Sequence, residues 1–308
     1  MPAWNALLET FSGHADDEAR SEWLNSRLSG ALNEVGNLRG GRNVIMYGSS
    51  FLQRPGLPAG SIMITPEDLN GFMACIHGME PSNGLTLVLH TPGGSPNAAE
   101  MIVSYLRSKF TRMEVIVPAL AMSAGTMISL GADQVVMGRQ SQLGPIDPQL
   151  VIGGGQSVSA QAVVDQFEQA KGDVLSNPTM AHVWAPILPA LGPSLLVEAE
   201  NALSYSESMV SRWLERWMLV GQPDAKDQAA KAAGYFNDAK AHKSHGRRID
   251  RVEAREVGLR VEDLETSQEL QEAVLTAYHL MTIFFEQGPV TKMIRANGTE
   301  RSWVKIRE

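Results

Sequence analysis

The sequence predicts an α/β protein built on a largely parallel sheet, and three observations carry that expectation. Short apolar runs recur along the chain: LTLVL at 85–89, VIVP at 115–118 and QVVM at 134–137. Each is apolar throughout, the pattern of a strand buried on both faces. The segments between them, 97–110 and 122–132, suit helices, so strands and helices alternate as a parallel sheet requires. Such a sheet places its working groups in the turns that leave the carboxyl ends of its strands.

The flanking elements follow in order. Residues 1–40 place Leu24, Leu28, Leu32 and Val35 at helical spacing before the Gly40-Gly41 break, which predicts a helical arm. NVIMY at 43–47 reads as a strand. Thr65-Pro66-Glu67-Asp68 reads as a helix start, with Thr65 as N-cap and Pro66 at the first helical position, and the helix runs to about residue 77. Helix 97–110 presents Met101, Ile102, Tyr105 and Leu106 on one face. Beyond residue 159 the chain is mostly helical: 160–171, a connector with Pro178, Pro186, Pro189 and Pro193, then 195–219. Residues 249–265 predict a short helix ending near Gly258 and then a strand, 268–285 a closing amphipathic helix, and the remainder a polar tail. The boundaries implied are an arm at 1–40, a core domain at 41–266 and a C-terminal helix and tail at 267–308.

Composition removes several function classes. With 308 residues, 44% hydrophobic and 19% charged, the chain buries a sizeable core and is not disordered. The net charge of -8 argues against nucleic-acid phosphates or anionic lipid as the main partner. One cysteine forms no internal disulfide and supplies no thiolate cluster, so a reducing, cytoplasmic setting is expected. Cys75 is expected to be a small core residue. The uncharged stretch at 115–132 just reaches the minimum for a membrane helix, about 18 residues. Pro118 and the small or polar Ser123, Gly125, Thr126 and Ser129 argue against a span. The N-terminus carries acids early and no basic region, so no secretion signal is expected.

Two turns could carry chemistry. Thr91-Pro92-Gly93-Gly94 follows LTLVLH and precedes a helix, where consecutive glycines let backbone N–H groups face a cleft. That geometry suits a phosphate or a developing oxyanion, but no Walker or dinucleotide pattern accompanies it, and an ordinary tight turn has the same composition. In the second turn, Ser123 stands between VIVP and a helix among residues too small to cover it. It reads either as a nucleophile with backbone donors nearby or as a simple N-cap. The pattern is AxSxG, not the GxSxG elbow. Because both turns leave neighbouring strands, one could supply the nucleophile and the other an oxyanion donor pair.

The order HTPGGSPNAAE, AMSAGTMISLGAD, QSQLGPIDPQL resembles Clp-fold serine proteases, and most closely the serine dehydrogenase proteinase (SDH) group. RNVIMYGSSFLQRP and LNGFMACIHGME upstream, and FEQAKGDV and HKSHGRRIDRVEAREVGLRVEDLE downstream, extend it over nearly the whole chain. The resemblance implies a ClpP/crotonase-like fold of repeated ββα units with an N-terminal helical arm and C-terminal helices. It implies Ser123 as nucleophile, with amides of Gly93 or Gly94 and of Ala124 as the oxyanion hole.

The base stays open. ClpP carries its histidine where this chain reads Leu143-Gly144-Pro145-Ile146-Asp147, and no histidine lies between His90 and His182. The SppA-like relatives use a Ser-Lys dyad, for which Lys171 is the candidate, since a desolvated lysine takes a serine proton. The other candidate is His245 with Asp147, a triad with exchanged positions; Lys171 is placed slightly ahead. Lys171 also reads as a solvated helix-end charge, Asp147 as a turn residue, and His242 and His245 as surface histidines without a third metal ligand.

The resulting expectation is a cytoplasmic serine peptidase acting on peptides or unfolded protein, without metal or cofactor. The resemblance adds a homo-oligomer, ring or stacked, whose substrate an unfoldase could deliver. A crotonase-like acyl-CoA enzyme and a non-catalytic scaffold are the competing classes.

Overall fold

A computed structural model describes residues 4–187, 194–298 and 301–306, so Pro189 and Pro193 of the connector lie outside the described residues. The chain forms two compact units, unit 1 from Met1–Leu143 and Ile249–Glu308 and unit 2 from Gly144–Arg248.

Unit 1 begins with α1 (Trp4–Ser12), α2 (Asp17–Leu38), β1 (Asn43–Ser49), α3 (Ala59–Ile62), α4 (Asp68–Ile76) and β2 (Leu85–His90). It continues with α5 (Pro96–Lys109), β3 (Met113–Val117), β4 (Leu120–Ala121), α6 (Ala124–Leu130), β5 (Gln134–Met137) and β6 (Gln142–Leu143). Unit 2 follows with β7 (Gln149–Ile152), β8 (Gln156–Ser159), α7 (Ala160–Ser176), α8 (Ala181–Trp184), α9 (Leu195–Trp213), α10 (Ala225–Asn237) and α11 (Ala239–His242). The chain then completes unit 1 with α12 (Arg251–Glu256), β9 (Val261–Asp263), α13 (Gln268–Gln287), β10 (Val290–Ala296) and β11 (Ser302–Ile306).

The main sheet of unit 1 runs β11-β10-β1-β2-β3-β5-β9. Strands β1, β2, β3, β5 and β9 pair in parallel, and β10 and β11 extend the sheet antiparallel beyond β1. Every residue of β1, β2 and β3 is buried, which is why these runs are apolar without alternation.

The arm is part of this core. Leu24, Leu28, Leu32 and Val35 of α2 join Val274, Ala277 and Leu280 of α13 and Met46, Val88, Ile116 and Val136 of the strands in one apolar cluster. Leu28 and Leu32 are fully buried, and truncating either to alanine should cost about 2–5 kcal/mol. Arg39, capping α2, donates to Glu114 of β3 at 2.9 Å and to Glu262 of β9 at 2.8 Å, tying two strands of the sheet to the arm. The boundaries expected at 40 and 266 therefore do not coincide with the division of contacts.

Four very short segments make a second layer past the carboxyl ends of β2, β3 and β5. Strand β4 pairs with β6, Thr91 bridges to Ala121, and Leu143 bridges to Ile249. Strand β4 follows β3 and β6 follows β5, and the main sheet is mostly parallel and flanked by helices, as the resemblance implied. The turns carrying Gly93-Gly94 and Ser123 grow directly out of the second layer.

Three sequence expectations differ from the structure. The expected polar tail forms β10 and β11, because the charges in VTKMIRA are buried and partnered. Thr65 does not cap α4; its N–H donates to the Asp68 side chain at 2.9 Å. Helix α5 buries Ala98, Ala99, Ile102, Val103 and Leu106 and leaves Met101 exposed, since the two alanines turn the apolar face.

In unit 2, β7 and β8 form a hairpin whose turn contains Gly155 at φ 78°, an element the sequence reading did not separate from loop. Ser159 accepts from the Gln161 N–H and starts α7. Ala160 and Val163 of α7 pack on Leu195 and Ala199 of α9. Among the described residues no helix is long and apolar enough to cross a membrane.

Candidate active site

Strand β4 ends at Ala121, and Met122-Ser123-Ala124-Gly125 folds into a tight turn closed by the Gly125 N–H donating to the Met122 carbonyl at 2.8 Å. Ser123 occupies the second position at φ 50°, ψ -115°, the conformation that glycine dominates in such turns. Only Ser123 and Lys243 among the described non-glycine residues have positive φ. A side chain there costs on the order of 1–3 kcal/mol, a strain found chiefly at functional positions. The N-cap reading has no support, since Ser123 makes no side-chain capping bond. The residue is half-buried.

The glycine turn lies against it. A Cβ on Gly93 would stand 2.7 Å from Ser123 Cβ and 2.8 Å from the Met122 carbonyl oxygen, with φ at 104°. A Cβ on Gly94 would stand 2.3 Å from the Ile64 carbonyl oxygen. Each glycine is therefore required by a different wall, Ser123 on one side and the Ile64 segment on the other. Gly125 is equally constrained, since a Cβ there would meet Thr91 Cγ2 at 2.4 Å.

The amides of the turn divide in role. Gly93 N–H donates to Thr91 Oγ1 at 3.2 Å, so it is turned inward. The Gly93 carbonyl accepts from Ile64 N–H at 2.8 Å, and in a planar trans peptide this aims Gly94 N–H away from Ile64. Ala124 N–H is the first of α6 and has no carbonyl within the helix to bond.

Unit 2 holds the other predicted site residues. His245 and Asp147 pair through Nδ1 and Oδ1 at 2.8 Å. Asp147 is 2% exposed and also accepts from Gln149 Nε2 at 2.7 Å, which fixes the carboxylate. The His245 side chain is 31% exposed. Lys171 is 65% exposed on α7 and faces Glu168 at 3.4 Å. His242 is buried, its Nε2 bonded to the Tyr235 carbonyl at 2.7 Å and its Nδ1 to Arg247 at 2.7 Å, a satisfied structural histidine and not the surface residue expected.

Two further groups in unit 1 are core residues. Cys75 is buried, and desolvation pushes its thiol up to about 12, as suits a small core residue. His90 is fully buried between Phe51 and Tyr278, and desolvation pulls it down to about 3. The sequence reading missed a third group: Lys292 and Asp68, both fully buried and 2.7 Å apart, behind the glycine turn. Burial lowers the Lys292 ammonium, and Asp68 opposes that shift.

Uncharacterized protein MJ0137 of Methanocaldococcus jannaschii is 38% identical over 117 residues, covering 38% of this chain and 39% of its own length. Uncharacterized protein MJ1495 of the same organism is 31% identical over 150 residues, covering 48% and 49%. The chain thus spans less than half the length of these curated relatives. Among solved structures, a serine-to-alanine mutant of the 1510-N membrane-bound stomatin-specific protease overlaps 46% of this chain and 64% of its own, at 22% identity and TM-score 0.27. A lysine-to-alanine mutant of that protease in complex with a substrate peptide overlaps 71% and 94%, at 18% identity and TM-score 0.28. Scores this low mark a loose overlap. The family model of the ClpP-like SDH-type serine proteinases, by contrast, matches residues 21–183, which include β1 to β6 and both turns of the site. On that match, over more than half of its length, the chain belongs to the ClpP-like SDH-type serine proteinases.

Proposed function

We propose that the protein is a serine peptidase in which Ser123 is the nucleophile and His245, oriented by Asp147, is the base. The observation that carries the nucleophile is the strained backbone of Ser123 beside two glycines that admit no side chain. With its proton on Nδ1, His245 donates to Asp147 and leaves Nε2 as the base. Ser123 Oγ attacks a peptide carbonyl and gives its proton to Nε2. The amides of Gly94 and Ala124 stabilise the oxyanion, Gly93 N–H being committed to Thr91. Collapse expels the amine with the proton from His245, and water then hydrolyses the acyl-enzyme by the same path in reverse.

Lys171 remains the alternative base, and its exposure and its ion pair with Glu168 place it behind His245. The family match favours a peptidase over an acyl-CoA enzyme, and the fixed His245–Asp147 pair favours catalysis over a scaffold.

The substrate class of this reading is peptide or unfolded protein, the assembly a homo-oligomer and the compartment the cytoplasm. The test is hydrolysis of a fluorogenic peptide library by the wild type and by Ser123→Ala, His245→Ala and Lys171→Ala. Loss in the first two with retention in the third supports the reading. Loss in Lys171→Ala alone among the base variants moves the base to lysine.

A further inference from the structure

The buried pair behind the glycine turn has an energetic peculiarity. Removing two charges from water costs more than their attraction usually returns, so apolar residues of the same volume would serve stability as well. The partners of Lys292 and Asp68 show where these groups are directed. Lys292 Nζ donates to Asp68 Oδ1 and to the Met63 carbonyl, both at 2.7 Å. Asp68 Oδ2 accepts from Thr65 N–H and from Tyr47 O–H, both at 2.9 Å. Met63 and Thr65 flank Ile64, whose N–H and carbonyl bond Gly93 and Ser95. Thr91 Oγ1 accepts from Gly93 N–H. The ion pair thus reaches the Gly93 carbonyl through the Ile64 wall, while Thr91 holds Gly93 N–H. The Tyr47 ring is stacked on Phe72 with an interplanar angle of 3°, so its hydroxyl is not free to turn away.

We propose that Lys292, Asp68, Tyr47 and Thr91 form a buried brace that sets the Gly93-Gly94 peptide against Ser123, making them positioning residues for the reaction. The inference rests on the serine-peptidase reading above. Its physical content is that Gly93 N–H and Gly93 carbonyl are both held, so the direction of Gly94 N–H is determined. Misplacing an oxyanion donor by about 1 Å costs about 100-fold in rate.

Thr91→Val and Tyr47→Phe cut the brace with little change in volume, and Thr91→Ser restores the hydroxyl. Two measurements are made on the full chain. The first is amide hydrogen exchange across residues 90–95, which reads the position of the turn whatever the protein catalyses. The second is the rate at which a fluorophosphonate modifies Ser123, with kcat and KM for a peptide found to be cleaved. The brace predicts faster exchange and roughly 10- to 100-fold slower modification in Thr91→Val and Tyr47→Phe, a fall in kcat at nearly unchanged KM, and recovery in Thr91→Ser. Unchanged exchange and wild-type modification rates in both cut variants would overturn it. A purely structural role is recognised by equal losses in Thr91→Ser and Thr91→Val, and it too overturns the proposal. If exchange responds while the wild type is never modified, the peptidase reading fails and the brace loses its catalytic consequence.

Discussion

In unit 1 the site residues are held by main chain against main chain, whereas in unit 2 the proposed base is held by one side-chain bond. Gly93 and Gly94 have no room for a methyl group, and Ser123 keeps a turn conformation that glycine prefers. His245 relies on a 2.8 Å contact with Asp147, whose burial and second bond to Gln149 do the fixing. The difference teaches where each kind of substitution acts. Adding a single carbon in unit 1 disturbs fold and function together, while unit 2 allows the base to be removed with the backbone intact.

The largest effects should come from Gly93→Ala and Gly94→Ala. Each adds a carbon closer than contact distance to fixed backbone or to Ser123, at a positive φ, and should destabilise by about 3 kcal/mol or more. Denaturant midpoints would show this together with loss of any peptidase activity. Stability within 0.5 kcal/mol of wild type, about the scatter of surface substitutions, would mean the two walls are not as rigid as described. Next, His245→Ala should lower kcat by about 100- to 10,000-fold. Lys171→Ala should change kcat less than about twofold, its ion pair being exposed and worth about 0–1 kcal/mol. The reverse ranking would exchange the two candidates.

A pH experiment sharpens the contrast from within unit 1. His90 is buried with its folded value depressed to about 3. Its unfolded value lies near 6.5, so the unfolded chain binds the extra proton. Its contribution is therefore complete above about pH 6.5 and is lost as the pH falls toward 3, by about 2–3 kcal/mol at pH 4.5. His90→Gln should flatten the stability profile between those pH values, as urea unfolding would show. A gain is expected from Ser123→Gly, which relieves backbone strain and should stabilise by about 1 kcal/mol after the added entropy of glycine in the unfolded state.

The same contrast explains what the sequence made legible. Strands β2, β3 and β5 announce themselves as continuous apolar runs, and the site turns as small residues at strand ends, because steric demands within a few residues write themselves into local composition. The His245–Asp147 pair spans 98 positions, and no spacing rule links it. Lys171 has the right type in the right region, yet exposure decides its chemistry, and exposure is a tertiary property. Strand β10 falls in a stretch whose composition is polar, although its Lys292 and Arg295 are buried with partners from other elements. The brace was invisible for the same reason, its members being scattered from Tyr47 to Lys292.

The central claim is that Ser123 is an activated nucleophile. Its most direct test is mass analysis of the intact chain and its peptides after reaction with a fluorophosphonate. The account predicts one adduct, on the peptide containing Ser123, absent in Ser123→Ala and formed far more slowly in His245→Ala. No adduct on the wild type across a broad pH range, or an adduct that persists in Ser123→Ala, would contradict it.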